Sequence, residues 1–313
     1  MGEVIDFHVY AFPDRLTGLD RWVTDPVRAG LRASLRPFAN SLHHAQTYLR
    51  YLPGTPRRTL EQLGLLAPIP ALLVESRYSD LKAAMDEAQI QRAVVVAHPP
   101  FIENDFVLEL AERDPRLIPA VYISPGTRRP AEVLRKLVQR GARALKLHPS
   151  ADGERPDAPR YRALLGTAQM LGLPVIVHTG RFQIPFILKA PEYGDAECFT
   201  PWFETYPDVT FVLAHMNYSQ PLVALDLAEQ HPNVLLECSW QPAELIGEAV
   251  ARLGAERILF GTDWPLLGNN MMVGRRRVAD CVDSGVLTEI EAELVLGGNA
   301  QRVLFGKRAP HAG

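Results

Sequence analysis

The 313-residue sequence predicts an α/β protein, a (β/α)8 TIM barrel with a cap segment inserted after its first strand. Three observations carry this reading. Eight short β-branched runs alternate with longer stretches of helical period. Crossovers of that length call for parallel pairing, each returning a helix across the sheet, and eight such units close into a barrel of about 250 residues. The competing architecture, an open doubly wound sheet, carries a glycine-rich turn after its first strand, and none follows VIDFH.

In chain order the predicted strands are Val4–His8, Ala93–Ala97, Leu117–Ile123, Ala144–Leu147, Val175–Val177, Thr210–Ala214, Val234–Glu237 and Ile258–Phe260. Between and after them the pattern predicts helices over Ser79–Ala88, Asn104–Arg113, Pro130–Arg140, Tyr161–Leu171, Pro221–Gln230, Pro242–Leu253 and Asn270–Asp283. Glycine or proline marks many joints, as at Gly141, Gly172-Leu173-Pro174 and Gly254.

The spacing is even except for one gap of about 80 residues between the first two strands. The excess, roughly 11–76, is rich in proline and holds several short helical patterns. Asp25-Pro26 is a good helix start, with an N-cap carboxylate before a proline at the first helical position. From there Arg28, Arg32 and Arg36 fall on one face. The segment reads as a cap over one barrel mouth, the alternative being padding outside it, and 1–313 reads as a single domain.

Composition narrows the function. Net charge is −3, and 47% apolar with 22% charged residues is ordinary for a soluble globular chain. Nucleic acid is not an expected partner, and the run Arg275-Arg276-Arg277 reads as a solvated helix face. No apolar run reaches the ~20 residues of a membrane span, and no signal peptide is expected at the N-terminus. Cys198, Cys238 and Cys281 share no CxxC spacing and read as small buried residues of a reducing compartment, which makes the cytoplasm the expected location.

The nine histidines are not scattered. His8, His98, His148, His178 and His215 each end a predicted strand, and Asp263 closes the last one in ILFGTDWP. In a parallel barrel those ends share one rim, where catalytic groups collect. Imidazole and carboxylate are a common ligand set for zinc, manganese or iron. Side chains two apart on a strand face the same way, so position 10 could grip the same ion as His8. His43, His44 and His231 show no ligand geometry.

With IDFHVY, ALKLHP, LPVIVHTG, FVLAHM, ILFGTDWP and GGNAQRVLFG in this order, the chain resembles the amidohydrolase superfamily from Val4 to Gly306. The resemblance is to the branch of the aminocarboxymuconate-semialdehyde decarboxylase type and related metal-dependent hydrolases. It implies His8, His178 and Asp263 as ligands of one divalent metal ion, zinc or manganese. His215 is implied beside the metal-bound water or substrate. The family carries IDxHxH on the first strand, and here the second histidine is replaced by Tyr10. A phenol coordinates only once deprotonated, against an ordinary pKa near ~10. Without it, His8, His178 and Asp263 remain a two-histidine, one-carboxylate set with open positions.

Three functions follow as expectations. The first is hydrolysis of an amide, lactone or related carbonyl of a small polar molecule, with Asp263 as general base to an activated water and His215 stabilising the oxyanion or placing the water. The second is non-oxidative decarboxylation of an aromatic or unsaturated acid, a reaction of several relatives. The third is a metal-free enzyme or a ligand-binding relative, which the Tyr10 exchange keeps open. Lys146 shares a side of its strand with His148 and reads as an ammonium for a substrate carboxylate or for an inner carboxylate such as Asp6. The family resemblance adds a carboxylated, metal-bridging lysine as the less favoured alternative. Asp6 is expected one layer deeper, orienting a ligand histidine. His98 is either a rim group or merely structural. Phe12, Trp240 and Trp264 line the pocket or pack the core. An anionic substrate and a homodimer are the partners held open.

Overall fold

The computed structural model describes residues 2–14, 25–34, 75–181, 188–218, 220–266 and 270–306, with a few isolated positions between. Eight parallel strands pair in chain order. They are β1 (Ile5–Val9), β2 (Arg92–Val96), β3 (Leu117–Tyr122), β4 (Ala144–Leu147), β5 (Val175–His178), β6 (Phe211–Ala214), β7 (Val234–Glu237) and β8 (Ile258–Leu259). The chain closes on itself where Phe7 N–H donates to the Phe260 carbonyl at 2.8 Å, Asp263 N–H to the His8 carbonyl at 2.8 Å, and Tyr10 N–H to the Trp264 carbonyl at 2.7 Å. The barrel is therefore the predicted one.

Apart from Arg92 at the start of β2, every strand residue is buried. Helices cover the outer face and side chains fill the inner one, which is why the strands read as apolar runs rather than alternating ones. The seven predicted helices appear at Tyr78–Glu87, Asn104–Arg113, Pro130–Gln139, Arg160–Leu171, Pro221–Gln230, Ala243–Leu253 and Asn270–Asp283. Pro130 and Pro221 open theirs at a position whose N–H has no helical partner. Gly172, at φ 57°, ends another in the left-handed region that penalises a side chain.

The structure adds elements that periodicity did not show: short helices at Pro149–Asp152, Thr200–Thr205 and Glu289–Glu293, a π-helical turn at Leu294–Gly298 and a last helix at Asn299–Phe305. Thr288 and Glu291 form a capping box that starts the Glu289–Glu293 helix. The GGN of the C-terminal motif works at the barrel bottom. Asn299 Nδ2 donates to the carbonyls of Ala255 (2.7 Å) and Ile258 (2.8 Å), and a Cβ on Gly297 would run into the Glu3 carbonyl just before β1. Gly297→Ala should therefore cost about 1–3 kcal/mol, read as a lower urea midpoint at unchanged slope.

Of the predicted cap, a helix over 25–34 is described, while 15–24 and most of 35–74, with Arg36, His43 and His44, lie outside the described residues. Arg28 on that helix is buried, Arg32 pairs with Asp80, and Asp25 lies 3.3 Å from Arg77. Those pairs tie the helix to the start of Tyr78–Glu87.

Two expectations need correcting. Arg275-Arg276-Arg277 is not a uniformly solvated face: Arg277 is buried, and Arg275 donates to the carbonyls of Ala88 (2.8 Å) and Gln89 (3.1 Å), capping a neighbouring helix end. Only Arg276 behaves as expected, pairing with Asp280 at 2.7 Å. Cys238 and Cys281 are buried, but Cys198 is half-exposed in the β5–β6 connection. No described helix is long and apolar enough to cross a membrane.

Candidate active site

At the C-terminal ends of the strands six rings follow one another in a closed circuit. Centroids are 5.2 Å apart from His8 to Tyr10, 6.3 Å from Tyr10 to His98, and 5.4 Å from His98 to His148. The circuit continues from His148 to His178 at 3.8 Å, from His178 to His215 at 5.2 Å, and from His215 back to His8 at 5.1 Å. All five histidines predicted for the rim thus meet at one place. Into this circuit reaches Lys146 from β4, fully buried, with Nζ 3.3 Å from His8 Nε2.

His8 is the best-defined member. Its Nδ1 lies 3.3 Å from Glu237 Oε2, which places the ring proton on Nδ1 and leaves the lone pair on Nε2. Around Nε2 gather the Tyr10 hydroxyl at 3.1 Å, the Lys146 ammonium and Asp263 Oδ1 at 3.7 Å.

Glu237, at the end of β7, is the hub behind the rings. Its carboxylate also accepts from the His215 amide (3.2 Å), the Ser239 amide (2.5 Å) and the Ser239 hydroxyl (3.0 Å). Ser239 Oγ in turn contacts His215 Nδ1 at 2.6 Å, so this ring too is held at one nitrogen. Asp263 is fixed through Oδ2, which accepts from Trp240 Nε1 at 2.8 Å. Its Oδ1 is buried with no hydrogen-bond partner among the described residues.

Backbone strain concentrates here. His215 (φ 66°), Trp240 (φ 66°) and Asp263 (φ 60°) adopt left-handed conformations just past β6, β7 and β8. Such values are uncommon for non-glycine residues and persist where surrounding structure holds them. Gln241 Nε2 donates to the His215 carbonyl at 2.6 Å, and the Asn217 amide donates to Thr179 Oγ1 at 2.9 Å. Gly180, at φ 100°, has no room for a side chain, because a Cβ would lie 2.5 Å from that of Tyr218.

Burial sets the charges. It lowers the pKa of His8, His148, His178 and His215 well below the ordinary value and that of His98 to about 4, with the Lys146 charge acting in the same sense, so the imidazoles are neutral. Desolvation also lowers Lys146 to about 8, against the pull of Asp263 and Glu237. The carboxyls move the other way: burial raises Asp263 well above the usual range and Glu237 to about 7. Tyr10 is pushed up by burial and then by the Asp263 charge, and is a hydroxyl donor.

The donors that converge closely enough to hold a metal ion are those of His8, His215 and Asp263, all within 4.8 Å of one another. Two neutral imidazoles and the Asp263 carboxylate, whose Oδ1 has no hydrogen-bond partner among the described residues, fit a divalent cation, and the set is compatible with one. His178, the expected ligand on β5, stacks on His148 and makes an edge contact with His215, beside this group.

Other expected residues find different work. Asp6 does not orient an imidazole: it accepts from the His8 amide (3.1 Å) and from the Thr262 amide (3.1 Å) and hydroxyl (2.6 Å), tying β1 to the chain after β8. With those bonds opposing it, burial raises the Asp6 carboxyl to about 8. Lys146 correspondingly answers to Asp263 and Glu237 rather than to Asp6. His148 Nδ1 contacts Ser150 Oγ at 3.1 Å and accepts from the Ala151 amide at 3.3 Å, capping the Pro149–Asp152 helix. His98 is at the rim, its Nδ1 buried without a hydrogen-bond partner among the described residues. Trp264 is completely buried and Phe12 nearly so, as core packing would have them.

The reading from sequence missed Glu237, Ser239 and Gln241. The available signal was a lone carboxylate ending the apolar run VLLE, at the same strand-end offset as the histidines.

The profile of the amidohydrolase family matches residues 5–306. Among solved structures, an uncharacterised TIM-barrel protein from Bordetella bronchiseptica is 21% identical, with a TM-score of 0.67 over 97% of this chain and 98% of its own. A 5-carboxyvanillate decarboxylase from Sphingomonas paucimobilis is 15% identical, with a TM-score of 0.63 over 96% and 98%. An amidohydrolase from Burkholderia multivorans with bound zinc is 15% identical, with a TM-score of 0.63 over 97% and 99%. At such identities the likeness speaks to the fold. No curated protein matches the sequence.

Proposed function

The chain belongs to the amidohydrolase family, and from that premise we propose that it hydrolyses an amide, lactone or related carbonyl of a small polar molecule, using one divalent cation, zinc or manganese. One observation carries the proposal: His8, His215 and Asp263 converge, and Asp263 keeps an unpartnered oxygen turned away from its tryptophan. Those three residues would hold the ion. When bound, such an ion supplies Lewis acidity and brings the pKa of water toward ~7.

The remaining work falls to side chains. Trp240 fixes one oxygen of Asp263, leaving the other to accept a proton from the attacking water and return it to the leaving group. Burial increases the proton affinity of that carboxyl. His215 is held through Nδ1 by Ser239, which would orient its other nitrogen as a ligand of the ion. Glu237 holds His8 and His215 in register.

A second reading, decarboxylation of an aromatic or unsaturated acid, is supported by Lys146. A buried ammonium within the circuit of rings is matched to a substrate carboxylate, and the 5-carboxyvanillate decarboxylase shares the fold. The test is to purify the protein without chelators, measure its metals, and assay a panel of lactones and amides beside aromatic acids with carbon dioxide detection. About one equivalent of metal with carbonyl hydrolysis is the expected result. Full activity with less than about a tenth of an equivalent would end the metal reading, and carbon dioxide release without hydrolysis would establish the second.

A further inference from the structure

We propose that Lys146 occupies the cation position of this site, so that its ammonium and a divalent ion exclude one another at His8. The inference rests on the metal-site reading above and deepens it.

The first argument is a count of lone pairs. With Nδ1 committed to Glu237 at 3.3 Å, His8 offers one lone pair, on Nε2. Lys146 Nζ, 3.3 Å away, and the Tyr10 hydroxyl, 3.1 Å away, both compete for it. A bond from imidazole to a divalent ion is ~2.0–2.1 Å long and uses that same lone pair. Ion and ammonium cannot both have it.

Charge gives the same answer. Lys146 is fully buried, and the carboxylates acting on it, Asp263 and Glu237, are the prospective metal ligand and the group behind the two histidines. One positive centre already answers the negative charge that would attract a metal ion. A second would face it across a poorly screening interior. Asp6, which might have drawn the lysine deeper, is already bonded to Thr262 and to the His8 amide. Nothing else in the described barrel floor offers the ammonium a carboxylate away from the rings.

Metal affinity is therefore held down by the chain's own cation, and loading the site requires the lysine to leave His8. The experiment titrates metal-free protein with Co2+ and with Zn2+ by calorimetry, following the Co2+ absorption bands, for wild type, Lys146→Met and Lys146→Gln. Circular dichroism identifies the folded variants, and Lys146→Gln, which keeps a polar tip, carries the same expectation should the methionine variant not fold. The folded variants should bind about one equivalent at least ten-fold more tightly than wild type. Equal affinity would overturn the exclusion while leaving the metal site standing. Loss of binding in the variants would overturn it as well, by making Lys146 a ligand or a bridging group. No binding by wild type or by any folded variant would remove the metal site and the exclusion together.

Discussion

An Asp263→Asn variant should keep the barrel and lose more than about a thousand-fold in turnover. The reason lies in how the carboxylate is held. Trp240 Nε1 donates to one oxygen at 2.8 Å, so an asparagine would turn its carbonyl toward the indole and its NH2 toward His8 and Lys146. The Asp263 oxygen that has no hydrogen-bond partner among the described residues would become an N–H donor beside His8. No proton could be taken up there, and a cation would meet N–H groups instead of a negative oxygen. Stability should change little, since the hydrogen bond to Trp240 survives. The rate is measured on whichever substrate the panel identifies, with metal content assayed alongside. Hydrolysis at the wild-type rate would take Asp263 out of the reaction.

Much of this architecture was legible in the sequence, for a physical reason. A barrel strand is buried on both faces, so VVV, VIV, FVLA and VLLE announce themselves as apolar runs. Gly172 and Pro221 mark helix ends because backbone geometry leaves few alternatives there. The rim could be read too, since polar residues ending apolar runs have few structural uses. What escaped was everything decided by tertiary approach. Asp6 and Glu237 are both buried carboxylates near His8, yet one bonds backbone and the other bonds rings. Strand alternation gives the facing of Asp6 but not which group its carboxylate meets. His178 ends its strand as expected, and it stacks on His148, a contact between neighbouring strands that one-dimensional spacing does not encode. In the π-helical turn at Leu294–Gly298, Gly297 lies against the Glu3 carbonyl, a meeting of the two ends of the chain that local sequence does not announce.

Glu237 should prove as important as Asp263, with two substitutions that separate its two functions. Glu237→Ala would leave buried donors without acceptors: His8 Nδ1–H, the His215 and Ser239 amides, and the Ser239 hydroxyl. Each buried orphan costs about 1–3 kcal/mol, and removing one member of a buried polar cluster typically costs about 3–5 kcal/mol, so a loss in that range is expected on urea unfolding. Glu237→Gln fits the same space and keeps a carbonyl oxygen for the Ser239 amide while the His215 amide loses its acceptor, so its loss of stability should be smaller than that of the alanine variant. Its NH2, however, would face His8 Nδ1 as a donor and drive the imidazole proton to Nε2. That tautomer has no lone pair for the site centre, and metal affinity should fall about 10–100-fold with the barrel intact. Histidine 15N chemical shifts would report the tautomer directly, and a Co2+ titration the affinity. If the glutamine variant folds, binds metal as wild type does and shows His8 still protonated at Nδ1, then Glu237 does not set the chemistry of the site, and the orientation of His8 must come from Tyr10 and Lys146 alone.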